Sequence, residues 1–175
     1  MKVELLKNIA NCCDKDTTKP MAYPTLIKGE LWACDGVVAV RYKEAGWDRL
    51  PCPDVPWQIR DEEYKDLKPR DMLLFDSRGF FATDVHGNML DREGMGQAAP
   101  DKYPDFPSLW GNMLPKGIEA GRIDPKQLRR VIGVFQTAGV FPYVESTRSG
   151  LKLWGTRSFA GFVPYIEAIV CGMRS

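Results

Sequence analysis

The chain has 175 residues, 44% of them hydrophobic and 27% charged, a composition that fits one globular domain with a single well-packed core. No uninterrupted apolar run approaches the roughly 18 residues that cross a bilayer, and the opening residues around Lys2 and Glu4 carry no signal-peptide core, so a membrane span is excluded and a cytoplasmic location is expected. The net charge of +1 hides an asymmetry: residues 1–100 hold 14 Lys/Arg against 17 Asp/Glu and residues 101–175 hold 10 against 6, so any nucleic acid should be attracted mainly by the C-terminal part.

Residues 3–13 follow a helical pattern, with Leu6, Ile9 and Cys13 recurring every three to four positions. Residues 25–28, 30–34 and 37–42 then read as strands. A connector punctuated by Pro51, Pro53 and Pro56 leads to a charged segment, 60–68, with room for a short helix. Residues 72–75 and 80–83 flank a Gly-containing turn and predict a hairpin in which Gly79 takes positive φ. A further strand is expected after the turn at 86–88, ending near Leu90.

Residues 92–114 are rich in Gly, Pro and Asp and also carry Tyr103, Phe106 and Trp110. They predict a long surface connection pinned by its aromatics, of the kind that often carries function. The helix opening at Ile123 is the best-specified element of the chain. Asp124 suits the N-cap and Pro125 the first helical position, where its missing N–H is harmless. Leu128, Val131, Ile132 and Phe135 form one apolar face, Lys126, Arg129 and Arg130 occupy the remaining face, and Gly139 ends the helix. Strands are predicted at 143–146, 151–154, 159–163 and 166–171, the first two joined by a turn at 148–150.

A helix followed by a meander thus occurs twice. The expected fold is a single α+β domain with two pseudo-two-fold-related half-units, about 1–100 and 101–175.

Catalysis has no positive support in the sequence. The lone histidine, His86, lies beside a Gly-Asn turn with Asp84 nearby, and no Gly-x-Ser-x-Gly elbow accompanies it. A small hydrolase built on Asp84 and His86 is the least favoured reading. Asp14, Asp16, Asp35, Asp76 and Asp84 fall at turns or strand ends where Asp is favoured anyway, and their spacing selects no metal-binding pair. Gly94-Met95-Gly96 lies in a loop and does not bridge a strand to a helix, so neither a Walker loop nor a dinucleotide fingerprint is present. Cys12, Cys13, Cys34, Cys52 and Cys171 give neither a disulfide framework nor the paired spacing of a zinc site. A non-catalytic protein without metal or cofactor is expected.

Nucleic-acid binding has a physical basis in the two helices. Lys7, Asn11 and Lys15 recur at four-residue intervals away from the Leu6/Ile9/Cys13 stripe, and Lys126, Arg129 and Arg130 share a polar face on the second helix. Were the helices to lie side by side on one sheet layer, both faces would point the same way and follow a phosphate backbone without reading sequence.

Four segments carry a resemblance to a known family. Ala33-Cys34-Asp35-Gly36-Val37-Val38-Ala39-Val40 is similar to a strand–turn–strand with Asp-Gly at its turn. Tyr103-Pro104-Asp105-Phe106-Pro107 is similar to a Tyr-Pro-Asp-Tyr/Phe-Pro segment that introduces a helix-bearing unit. The helix at 124–138 with the strands after it, and the closing Ala168-Ile169-Val170-Cys171-Gly172-Met173-Arg174, complete the set. Together they resemble the bacterial DNA polymerase III beta subunit, the sliding clamp, whose domains each pair two helix-plus-meander halves with the helices lining the DNA hole.

The resemblance implies a DNA-clamp-like domain that binds duplex DNA in replication or repair. Its implied partners are a DNA polymerase, another clamp subunit or further copies of the chain in a homo-oligomer. A clamp chain holds three such domains and dimerises into a ring; this chain has the length of one. Cys171 and Gly172 replace the Met and Pro character of the family's C-terminal partner pocket. The alternative is a clamp-fold interaction module that modulates a clamp or polymerase without binding DNA, its partner site formed by Tyr103, Phe106 and Trp110 if those rings are exposed.

Overall fold

Alternation along the strands decides the layering. The computed structural model describes residues 1–44, 47, 54–76, 79–90, 95–113, 123–147, 150–156 and 165–171. Among these residues ten strands form: β1 Thr25–Ile27, β2 Glu30–Cys34, β3 Val38–Lys43, β4 Trp57–Gln58, β5 Met72–Asp76, β6 Gly79–Thr83, β7 Gln97–Ala98, β8 Tyr143–Thr147, β9 Gly150–Thr156 and β10 Tyr165–Cys171. The helices are α1 Val3–Ala10, α2 Asp61–Tyr64, α3 Phe106–Met113 and α4 Pro125–Ala138. The fold is mixed α+β with antiparallel pairing throughout the described strands.

Eight strands form one sheet in the order β7-β4-β1-β2-β3-β10-β9-β8, and β5 and β6 form a separate hairpin. The join between the N-terminal meander β1-β2-β3 and the C-terminal meander β8-β9-β10 is the β3–β10 pair, in register from Tyr165 opposite Lys43 to Val170 opposite Val38. α1 precedes the first meander and α4 the second.

Side chains of successive strand residues point to opposite faces. Leu31, Ala33, Val38, Val40, Ile166, Ala168 and Val170 line one face and form a single core with α1, α4 and the β5–β6 hairpin. Trp32, Cys34, Ala39 and Ile169 line the other face, with Phe106 and Trp110 of α3 packed on them. Both faces of the central strands are therefore covered, which is why β2, β3 and β10 are apolar in runs.

α1 buries Val3, Leu5, Leu6 and Ile9. It stops earlier than the sequence predicts, at Ala10, because Cys12 and Cys13 donate back only three residues, to the carbonyls of Ile9 and Ala10. α4 follows its predicted ends. The Asp124 carboxylate accepts the Lys126 N–H at 2.8 Å, and Gly139 closes the helix at φ 67°, a left-handed conformation that glycine adopts without strain. Val134, outside the predicted apolar face, is buried with Val131 and Phe135.

The hairpin at β5 and β6 is present, with Gly79 at φ 130°. The strand expected after the 86–88 turn is reduced to a bridge between Thr83 and Met89. The segment read as a long surface connection contains β7 and the two-turn helix α3. The strand predicted at 159–163 lies outside the described residues, as do Pro51, Pro53, Arg148 and Ser149 of the predicted connector and turn. Among the described residues no helix is long and apolar enough to cross a membrane.

Candidate nucleic-acid interface

α1 and α4 lie side by side and antiparallel on the sheet, α1 against β2 and α4 against β3 and β10. Their direction is fixed by bonds between them. Asn8 Nδ2 donates to Thr137 Oγ1 at 2.7 Å, and three residues later along α1 the Arg130 Nε donates to the Asn11 carbonyl at 2.7 Å. The side-by-side arrangement that the sequence leaves conditional is thus present.

Between the two helices runs a groove of about 420 Å³. Lys15, Lys126, Arg129 and Arg130 line it, together with Asn8 and Asn11 of α1 and Gly133 and Gln136 of α4. Five of the six residues expected to touch DNA are therefore in one place. Lys15 reaches the groove from the turn after α1, a turn closed by Asp14 Oδ1 accepting the Asp16 N–H at 3.0 Å and by the Lys19–Asp14 ion pair at 3.0 Å.

Lys7 is the exception. Its ammonium donates to the carbonyls of Lys65 and Leu67, both at 3.2 Å, on the far flank of α1. It caps the exit of α2 and does not line the groove.

The four basic groups of the groove are not equivalent. Arg130 is engaged on several sides: Nη1 pairs with Asp35 Oδ2 at 2.5 Å and with Gln127 Oε1, Nε donates to the Asn11 carbonyl, and Nη2 donates to the Cys13 carbonyl at 3.5 Å. It ties α4 to the frayed end of α1 and to the β2–β3 turn. Lys15, Lys126 and Arg129 are exposed, and their side-chain nitrogens have no partner among the described residues. Exposed cations of this kind can meet an anion.

Of the aromatics expected to mark a protein partner site, Phe106 and Trp110 are buried and Tyr103 is half-buried. Phe106 is 3% and Trp110 5% exposed. Phe106 stacks on Trp32 with centroids 5.9 Å apart, Trp110 meets Trp32 edge-on at 5.3 Å, and Tyr103 meets Phe106 edge-on at 5.4 Å. Burial pushes the Tyr103 phenol up. These rings anchor α3 on the sheet face opposite the groove. Arg41 lies among them, its guanidinium 5.6 Å from the Trp32 ring and 5.5 Å from that of Trp110, and pairs with Glu167 at 2.5 Å.

Exposed apolar surface, which the sequence reading does not single out, collects instead at the sheet edge. Phe141 is 94% exposed, and Tyr143 and Val144 of β8 and Trp154 of β9 are also exposed, the Tyr143 and Trp154 rings stacking at 4.6 Å. The signal for it was Phe141-Pro142-Tyr143-Val144, an apolar start to a terminal strand.

Asp84 closes the turn that holds His86, accepting the backbone N–H groups of His86 and Asn88 at 2.8 and 2.9 Å. The hydrogen bond from the Asn88 side chain, followed by those backbone donors, holds its carboxyl below the usual range. Among the described residues no group of three or more His, Cys, Asp or Glu side chains is placed to hold a metal ion. The chain matches no family model, no curated protein and no solved structure.

Proposed function

We propose that the chain is a non-catalytic, single-domain protein of the sliding-clamp type that binds duplex DNA through its backbone, in replication or repair. The observation that carries this reading is the α1/α4 groove, where Lys15, Lys126 and Arg129 stand exposed, without side-chain partners among the described residues, on two helices packed side by side. Cations on such a platform bind phosphates irrespective of sequence. Supporting it is the strand order, in which two helix-plus-meander units meet at β3 and β10; on this reading they are halves related by a pseudo-two-fold.

Three exposed cations are few beside the 6–10 phosphate contacts of a strongly salt-dependent DNA-binding protein. A single copy should therefore hold DNA weakly. Retention would come from several copies or from association with a DNA polymerase or another clamp subunit, in the cytoplasm.

The test is duplex binding by fluorescence anisotropy at low salt, comparing the parent with Lys126→Ala/Arg129→Ala. The double variant should lose affinity equally for unrelated duplex sequences, and unchanged affinity would remove the helices from the reading. Arg130 is left intact because it ties the helices together.

One observation favours the interaction-module alternative. The exposed Phe141, Tyr143 and Trp154 lie at β8 and β9, β8 being the last of the described strands in the sheet, a surface suited to a protein partner. Phe141→Ser/Trp154→Ser that leaves DNA binding intact but abolishes a measured association with a purified clamp or polymerase would support it. Intact association would count against it.

A further inference from the structure

The groove between α1 and α4 is chemically polarised. Lys15, Lys126 and Arg129 gather at the end formed by the C-terminus of α1 and the first turns of α4, whereas Asn8, Gly133 and Gln136 line the other end and contribute no charge. The side chains of Asn11 and Gln136 have no partner among the described residues. Asn8 donates through Nδ2 to Thr137 and keeps its carbonyl oxygen as an acceptor. Among the described residues, no hydrophobic side chain lines the groove.

A duplex lying along the groove would present diester phosphates, one charge each, over its whole length. Across that length the groove offers its charge at one point, with three exposed cations around one end and hydrogen-bonding amides beyond. Such a concentration suits a phosphomonoester, which carries a charge of about −1.5 to −2 at pH 7 and three acceptor oxygens. Arg129 adds a planar fork that takes two phosphate oxygens together. The volume of about 420 Å³ falls in the range of small-ligand clefts, and amide donors and acceptors in place of apolar anchors suit a sugar and base better than a peptide.

We propose that this groove binds a nucleotide 5′-phosphomonoester, its phosphate held by Lys15, Lys126 and Arg129 and its sugar or base set against Asn8, Asn11 and Gln136. The same chemistry is offered by a free mononucleotide and by the 5′ end of a DNA strand. The proposal rests on the groove being the anion site of the preceding section, and it adds a preference for an end over an internal phosphate.

Gly133 supplies the test. A Cβ there would meet Asn8 Oδ1 at 3.6 Å, an ordinary contact, so a longer side chain is accommodated at its root and projects into the groove without altering its charge. Binding is measured for a short thymidine oligonucleotide with and without a 5′-phosphate, for thymidine 5′-monophosphate, for inorganic phosphate and for a phosphoserine peptide, on the parent and on Gly133→Leu. The 5′-phosphorylated oligonucleotide should bind about tenfold more tightly than its 5′-hydroxyl counterpart, about the gain from one charge-assisted hydrogen bond, and Gly133→Leu should remove that preference.

If Gly133→Leu is less stable in urea than the parent, Asn11→Ala/Gln136→Ala serves in its place. It should bring nucleotide affinity down to that of inorganic phosphate. Thymidine 5′-monophosphate matching the phosphorylated oligonucleotide assigns the site to free nucleotides; a mononucleotide much weaker than the oligonucleotide assigns it to strand ends. Equal binding with and without the 5′-phosphate overturns the proposal, as does inorganic phosphate or the phosphoserine peptide matching the phosphorylated oligonucleotide. Duplex binding that stays salt-sensitive without a 5′-phosphate preference overturns this inference alone. A 5′-phosphate preference without duplex affinity overturns the duplex reading and leaves the inference standing.

Discussion

The Arg130 guanidinium lies 2.5 Å from the Asp35 carboxylate and joins α4 to the turn between β2 and β3, two elements 95 residues apart in sequence. Because the same side chain also holds the carbonyls of Asn11 and Cys13, its removal unties three segments together. Arg130→Ala should lower stability by about 2 kcal/mol, the scale of hydrogen bonds to a charged group left unmade. Arg129→Ala, at a side chain without such partners among the described residues, should stay within about 0.5 kcal/mol of the parent. Urea unfolding midpoints at constant slope check both, and equal midpoints for the two variants would contradict the division of roles.

The salt dependence of DNA binding counts the phosphates engaged. With Lys15, Lys126 and Arg129 as the contacts, log K against log salt for a duplex should fall with a slope of about −2.7 for one copy. Lys126→Ala/Arg129→Ala should flatten it to about −0.9. Lys7→Ala should leave the slope unchanged, since its ammonium is hydrogen-bonded to the Lys65 and Leu67 carbonyls away from the groove. A flatter slope on losing Lys7 would place DNA across the other flank of α1.

Glu167 is the hub of the opposite face. One carboxylate oxygen takes Arg41 at 2.5 Å and the Trp110 indole N–H at 3.1 Å, and the other takes Lys152 at 2.7 Å. Burial alone would push this carboxyl up, but the hydrogen bond from Lys152 and the Arg41 charge outweigh it, so its pKa lies below the usual range. A depressed folded-state pKa adds stability that is full above the unfolded carboxylate value of about 4.3 and is lost as pH falls through the lower folded value. Glu167→Gln should therefore be less stable than the parent at pH 7, with the difference shrinking as the solution is acidified below about pH 4. Thermal unfolding of both proteins across that range reads the convergence, and parallel curves would show that the network does not titrate.

Much of this architecture was written locally. α4 announced itself through Asp124, Pro125 and Gly139, and β2, β3 and β10 through their apolar runs. α3 carried the same grammar in a weaker form. Asp105 precedes it and accepts the Ser108 N–H and hydroxyl at 3.3 and 2.6 Å, Pro107 sits in its first turn, and Phe106 and Trp110 are spaced i and i+4. The Gly and Pro density around it masks those signals. The α4 side of the groove was legible because Lys126, Arg129 and Arg130 share one face at helical spacing, whereas the exit of Lys15 from the helix, the removal of Lys7 and the engagement of Arg130 were not. The last two depend on carbonyls or carboxylates 58–119 residues away in sequence, and no periodicity reports a contact of that range.

Cysteine chemistry gives a last and independent check on the α1 exit. Cys12 and Cys13 are buried, and so is Cys34 of β2. Burial pushes the Cys12 thiol up to about 12 and the Cys34 thiol up to about 11, and it holds Cys13 well above the usual value. Since the thiolate is the reactive form, at pH 8 a thiol of pKa about 12 is ionised in only about one molecule in ten thousand. These cysteines should resist maleimide in the native protein and react fully in urea, as read by peptide mapping. The linkage has the opposite sign to that of Glu167: raised folded-state values add stability that is full below the unfolded thiol pKa of about 8.5 and is lost as pH climbs above it. The Cys13 carbonyl is one of the groups that Arg130 holds, so Arg130→Ala should speed labelling of Cys12 and Cys13 more than that of Cys34. Equal acceleration at all three would mean that the variant opens the whole core, whereas selective labelling would show that Arg130 fastens the end of α1 on which Lys15 depends for its place in the groove.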